Sequence, residues 1–305
     1  MADLPLGARR IGAARPARRR RRMTGWGFVA PFLVVFAFAL VAPIGYAVYL
    51  SLFRQQLIGG NSFVAFENYR QALTDPQFWA SVRRVALFLV VQVPVMLVLA
   101  LLAALALDSA RLRWAAFYRL SIFLPYAVPA VVASLMWGFV YGAQFGLVAK
   151  LSSALHVSLP DPLSAGWVLT SIGNVVTWEF VGYNMLIFYA ALRSVPGDLY
   201  EAAEIDGAGA LRIARSIKLP ALRPALLVAL VFSIIGSLQL FNEPQILHWL
   251  APDTIPPNFT PNMYAYNLSF SGQEYNYSAT IAVVMGVLTM LAAGGVQWLG
   301  RRRMA

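Results

Sequence analysis

The sequence has no cysteine, which excludes disulfide frameworks, thiolate nucleophiles and cysteine-based zinc sites. It has only two histidines, His156 and His248, and their separation along the chain argues against a histidine-rich metal site. Neither an HExxH nor a GxSxG pattern occurs, and no paired carboxylates are expected inside an apolar segment, so the signatures of a membrane-embedded enzyme are missing. Charge is scarce too. Charged residues are 12% of the chain and apolar residues 59%, against about 25% and 45–50% in ordinary globular domains. A soluble domain of 305 residues could not cover its surface with so little charge, so much of that surface is expected to face lipid.

The charge that is present is unevenly placed. A net charge of +11 could point to nucleic acid, but eight arginines fall within the first 22 residues, directly before an apolar stretch. That arrangement reads as an orientation signal at a membrane. Gly25 to Phe53 carries no charge, which is too long for the roughly 7–15 residue core of a signal peptide, so it reads as a retained span. The chain then divides into a basic tail, 1–25, and a membrane domain, 26–303.

A bilayer core of about 30 Å needs around 20 apolar helical residues. Six segments meet that test: Trp26–Leu52, Val85–Leu107, a stretch within Leu120–Ala149, Trp167–Leu192, Pro224–Asn242 and Ser278–Gly300. Helices are expected because hydrocarbon offers no water to satisfy open backbone groups. Lys and Arg set the orientation. With the N-terminus in the cytoplasm, eight lie in the tail, three in 108–119, five in 193–223 and three in Arg301–Arg303, against five on the other side. Both termini are therefore expected to be cytoplasmic, with the tail against anionic lipid headgroups or disordered. The outer segment 243–277, rich in Pro, Asn and Tyr and free of Lys and Arg, is expected to be a partner-facing or solvated loop.

The cytoplasmic segment 196–224 reads PGDLYEAAEIDGAGALRIARSIKLPALRP. Asp198 followed by Glu201 has the spacing of a capping box, so a short helix is expected from there through Ile205. Gly207 supplies a left-handed stop, and a second short helix can run from Ala210 to Ile217. Leu219-Pro220 and Pro224 then turn the chain into the next span. The first helix sets small alanines beside Glu201, Glu204 and Asp206, a surface that suits close approach by a basic protein partner or simple solvation at the headgroup level.

The run EAAxxDGA followed by I-x-L-P resembles the signature loop of the membrane subunits of binding-protein-dependent ABC importers. Glu201, Ala202, Ala203, Asp206, Gly207, Ala208, Ile217, Leu219 and Pro220 carry the match; Ala214 departs from it, standing where the family commonly has Phe. Three more stretches narrow the resemblance to carbohydrate importers of the maltodextrin type, first-permease branch. These are FVAFENYRQALTDPQFW at Phe63–Trp79, FLPYAVPAVVASLMWGFVYGAQFG at Phe123–Gly146 and SLQLFNEPQIL at Ser237–Leu247. The resemblance implies an all-α, six-helix type I importer permease in the bacterial cytoplasmic membrane that forms half of a sugar pathway. It implies that the 196–224 loop docks on a dimeric cytosolic ATP-binding subunit, alongside a second permease and an extracytoplasmic sugar-binding protein. The chain has no GxxxxGK[ST] loop, so ATP and Mg would be used by the partner ATPase and no cofactor is expected on this chain.

Glu179 is the one ionisable residue well inside the expected spans, where a charge is costly and usually faces a cavity or partner. Tyr183, at i+4, shares its helix face, and Asn184 follows. Carboxylate, amide and aromatic groups suit sugar hydroxyls and sugar faces, although Glu179 could equally make a packing or gating hydrogen bond. Resemblance adds Tyr126 and Tyr183 as sugar contacts, with Gln239 near a family amide contact; Ala130 stands where the maltodextrin permease has Ser. Asn242 and Glu243 either meet the binding protein or solvate a helix end. The competing reading is an ion-coupled secondary transporter, which would need more midplane carboxylates than Glu179 alone.

Overall fold

The computed structural model describes residues 17–56, 60–109, 113–143 and 146–302. Arg303 and the first sixteen residues of the basic tail lie outside the described residues. The described residues divide into two compact units, which meet between Tyr49 and Leu50 along the chain. In the first, α1 (Ala17–Phe36) runs through a π-turn (Ala37–Val41) into α2 (Ala42–Ser51). The helix therefore starts within the arginine run, nine residues before the expected span.

The second unit opens with a hairpin, β1 (Phe53–Gln56) and β2 (Gly60–Phe63), and α3 (Glu67–Thr74). Helix α4 (Pro76–Leu107) begins well before the expected Val85, because Asp75 caps it through Gln77 N and Phe78 N and Pro76 occupies its first turn. After α5 (Ala115–Phe123), a 3-10 turn (Leu124–Ala127) leads to α6 (Ala130–Tyr141) at a bend of 97°. The single third span expected from the sequence is thus a broken one. Val128, immediately before Pro129, is extended (φ −79°, ψ 129°), as the proline ring requires of its predecessor.

Short α7 (Leu147–Leu155) precedes α8 (Val168–Arg193), which packs along α4 through Met185, Phe188 and Leu192 against Ala100, Ala104 and Leu107. Gly182 makes a close crossing possible: a Cβ there would stand 2.1 Å from the Ile122 carbonyl oxygen of α5. Helices α9 (Asp198–Ile205) and α10 (Ala210–Ile213), a π-turn (Ala214–Lys218) and α11 (Leu219–Ala221) lead into α12 (Arg223–Leu238). Leu219-Pro220 continues the helical path rather than turning it, since proline in a first helical turn loses no hydrogen bond. The expected capping box does not form. Gly197 is already helical (φ −57°, ψ −37°) and takes the cap position, so Asp198 lies in the first turn without a cap bond, favourable only to the helix dipole. Gly207 does adopt the left-handed stop, at φ +76°.

The expected outer loop 243–277 is largely helical: α13 (Asn242–His248) folds back against α6, and α14 (Pro261–Phe270) packs on α15 (Tyr275–Arg302). Among the described residues, five helices are long and apolar enough to cross a membrane, and the bent α5–α6 pair makes up to six.

Candidate functional site

Helices α4, α8, α12 and α13 and the break between α5 and α6 line an open cavity of about 370 Å³. Four of the five substrate candidates line it: Tyr126 from the 3-10 turn, Tyr183 and Asn184 from α8, and Gln239 after α12. The broken third span brings Tyr126 over Tyr183. Their rings stack at 4.9 Å between centroids with 19° between planes, and Phe180 meets Tyr126 edge-on at 5.8 Å. The result is an aromatic wall that residues 57 positions apart could not form along one helix.

Hydrogen-bond polarity comes from Asn184, next to Tyr183 on α8, and from Gln92 on α4. Asn184, 2% exposed, donates Nδ2–H to the Phe180 carbonyl oxygen (3.0 Å), and Gln92, 5% exposed, donates Nε2–H to Thr177 Oγ1 (3.4 Å). Turning Asn184 over would set its oxygen against a carbonyl oxygen, so the orientation is fixed. Both amide oxygens, Asn184 Oδ1 and Gln92 Oε1, are buried without a protein partner among the described residues. Among the described residues no Lys, Arg or His lines the cavity. Buried acceptors without donors are costly unless a ligand or water supplies them, and hydroxyl groups are the matching donors.

Glu179 does not line the cavity. It is buried, its two carboxyl oxygens have no hydrogen-bond partner among the described residues, and it lies near Glu243 on α13. Glu243, expected to meet a partner or to solvate a helix end, is only 6% exposed and lies in the cavity wall, so the spans do hold a carboxyl pair. Asn242 is exposed at the same rim. Gln92 and Met96 were not evident as site residues in the sequence; the one sign of them was a polar residue two positions before Pro94 in an otherwise apolar run. No group of His, Asp and Glu able to hold a metal ion occurs among the described residues.

The second set of candidates lies at the other end of α8 and α12. Glu201, Ala202, Asp206 and Gly207 are exposed, and Ala203, Ala208, Ile217, Leu219 and Pro220 are half-buried. Ile205 is 87% exposed, with Leu199 and Leu211 also largely exposed beside the acidic residues. Lys218 and Asp108, absent from the sequence-based site, form an ion pair of 2.5 Å beneath this helix.

Residues 96–304 match the family described as the binding-protein-dependent transport system inner membrane component. The chain is 31% identical to the diacetylchitobiose uptake system permease protein NgcF of Streptomyces coelicolor, over 95% of this chain and 87% of the relative. It is 31% identical to the lactose transport system permease protein LacF of Rhizobium radiobacter, over 93% and 96%. The fold matches a chain of a bacterial alginate ABC transporter solved in complex with a pentasaccharide-bound periplasmic protein, with a TM-score of 0.81 at 19% identity, over 93% of this chain and 96% of that one.

Proposed function

Because the chain belongs to the family of inner membrane components of binding-protein-dependent transport systems, we propose that it lines half of a sugar pathway and is driven through residues 196–224 by a cytosolic ATPase. It is a multi-pass membrane subunit of an ABC importer. The observation that carries the sugar reading is the cavity. Stacked Tyr126 and Tyr183 offer a flat apolar face, and Asn184 Oδ1 and Gln92 Oε1 offer acceptors, with no cationic side chain in the lining. A sugar ring has both complements, an apolar face and a rim of hydroxyl donors. The sugars in the names of its relatives fit that chemistry.

Alternating access follows from two sites biasing one set of helices. ATP closes the ATPase dimer, α9 moves with it, and α8 and α12, continuous with the loop, change the cavity they line. A loaded binding protein on the outer side biases the same equilibrium, and a second permease supplies the other wall. Hydrolysis belongs to the ATPase, which uses ATP and Mg.

The test is reconstitution of the chain with its partner permease and ATPase, measuring ATP hydrolysis with and without the binding protein and the carbohydrate that co-purifies with it. Stimulation is expected in the unaltered complex and lost in Gly207→Pro and Glu201→Lys. Uptake by this chain alone under an ion gradient would refute the reading.

A further inference from the structure

We infer that Asp108 and Lys218 are positioning residues that hold the coupling segment to α4, so that movement of α9 reaches the cavity wall through a buried ion pair as well as along the chain. The inference rests on the coupling role proposed above. Helices α8 and α12 leave the coupling segment directly, but α4 is separated from it by the whole of α5 to α8. Yet α4 carries Gln92 and Met96 into the cavity. Gln92 stands sixteen residues from Asp108, about 24 Å of continuous helix at 1.5 Å per residue.

The contact between the two is specific. Lys218 Nζ lies 2.5 Å from Asp108 Oδ2, with side-chain exposures of 17% and 7%. Lys218 also sits over the ring of Tyr200, 5.2 Å from its centroid, and Tyr200 belongs to α9 itself. One ammonium therefore joins the coupling helix to the end of α4. Burial, and then the charge of Asp108, push the Tyr200 phenol up, which keeps it neutral against the pair. The placement of Asp108 is informative in its own right. A carboxylate at a helix C-terminus faces the negative end of the dipole, so Asp108 gains nothing from α4 and depends on Lys218, 110 positions away. Lys218 is one of only two lysines in a chain otherwise provided with arginine. Leu107, Leu192 and Leu222 belong to one buried apolar cluster, so the end of α4 packs with α8 and the residue that leads into α12. A displaced Lys218 must then pull α4 or break a buried pair.

The absence of cysteine makes the test direct. Ser233→Cys places one thiol in the cavity wall. In the complete importer, with partner cysteines replaced, its labelling by a membrane-impermeant methanethiosulfonate is followed with and without ATP and the binding protein. The ATP-driven change in labelling rate is expected to fall about tenfold in Asp108→Asn and in Lys218→Met, within the ordinary range of coupling between sites. Lys218→Arg should retain most of it, and the exchanged pair Asp108→Lys with Lys218→Asp should recover it. A merely structural pair would lower assembly without changing the response of the complexes that do assemble. A separate Glu201→Cys, cross-linked to the ATPase, reads docking. No cross-link in the otherwise unaltered complex refutes the coupling role and this inference together. An intact cross-link with an undiminished response in both single variants refutes the inference alone. If the single variants do not assemble, the exchanged pair decides: a response supports the link, and an assembled but unresponsive complex overturns it.

Discussion

Asp75 is a junction whose loss can be worked out bond by bond. Its Oδ2 accepts from the hydroxyls of Tyr264 on α14 and Tyr277 on α15, each at 2.7 Å, while Oδ1 caps α4 through Gln77 N at 2.8 Å. Hydrogen bonds to a charged partner contribute about 1.5–3 kcal/mol each and an N-cap about 1 kcal/mol. Asp75 is half-buried, so the lower figures apply, and Asp75→Ala should cost about 4 kcal/mol. Asn caps as well as Asp, but its amide nitrogen then replaces Oδ2 and cannot accept, so both tyrosine hydroxyls must turn to accept from it. Asp75→Asn should lose the charge assistance and cost about half as much as Asp75→Ala. Tyr277→Phe alone should cost about 1.5 kcal/mol. The assay is unfolding in mixed micelles by rising SDS, followed by tryptophan fluorescence. The decisive variant is the double one. Asp75→Ala with Tyr277→Phe should be no less stable than Asp75→Ala, because the tyrosine has already lost its acceptor. Losses that add to within about 0.5 kcal/mol would refute the junction. The pH dependence gives an independent reading. Burial raises the carboxyl pKa, but the two tyrosine hydroxyls and the two amides outweigh it, so the group is held below its ordinary value. Its contribution is therefore complete above the unfolded value of about 4 and is lost as pH falls through the folded value. The advantage over Asp75→Asn should shrink only in that acid range. Tyr264 is shifted the other way, raised by burial and by its bond to Asp75. Its contribution is complete below the unfolded pKa of about 10 and is lost as pH rises through the folded one.

Gly182→Ala drives a methyl group into the Ile122 carbonyl oxygen, so α5 and α8 must separate; it should cost about 1–3 kcal/mol in the same unfolding assay. Gly207→Ala places a side chain at φ +76° and should cost about 1–2 kcal/mol, seen as weaker stimulation of ATP hydrolysis by the loaded binding protein. Tyr126→Ala removes one face of the aromatic wall while leaving the coupling segment untouched. Losing about 1 kcal/mol of ring contact should raise the KM of uptake several-fold without changing basal hydrolysis by the partner ATPase.

The spans were legible because lipid writes a one-dimensional signal: about twenty apolar residues wherever a helix crosses. The short helix α9 was legible for a similarly local reason, since Gly207 stops it in a conformation few other residues adopt. The break in the third span was only half legible. Pro125 and Pro129 mark a place where a helix bends, but prolines are tolerated in straight spans too, and the 97° angle depends on where α6 packs against α13. Glu243 was misplaced for the same reason. A carboxylate after an apolar run looks like the solvated end of a helix until α13 folds back and buries it. The Asp198–Glu201 spacing was read correctly as a pattern and wrongly as a contact, because Gly197 entered the helix one residue early.

What no local pattern could supply is the polarity of the cavity. Asn and Gln carry donors and acceptors in equal measure, so their identities in the sequence say nothing about which half faces a ligand. The choice is made by neighbours: the Phe180 carbonyl holds the Asn184 amide nitrogen, and Thr177 Oγ1, with Met96 Sδ, holds that of Gln92. Phe180 and Asn184 lie on α8, so that helix fixes the sense of Asn184. The Thr177 hydroxyl, also on α8, can donate as well as accept, so it tethers Gln92 while Met96 Sδ, an acceptor only, sets its sense. Thr177→Val should therefore release Gln92 without altering the shape of the cavity. Its expected effect is a several-fold higher KM for the co-purifying carbohydrate, from the loss of about 1 kcal/mol of tethering hydrogen bond. Stability and ATP-dependent labelling at Ser233→Cys should stay unchanged. An unaltered KM in Thr177→Val, with a raised KM in Gln92→Leu, would show that Gln92 is held without α8 and would remove this helix as its tether.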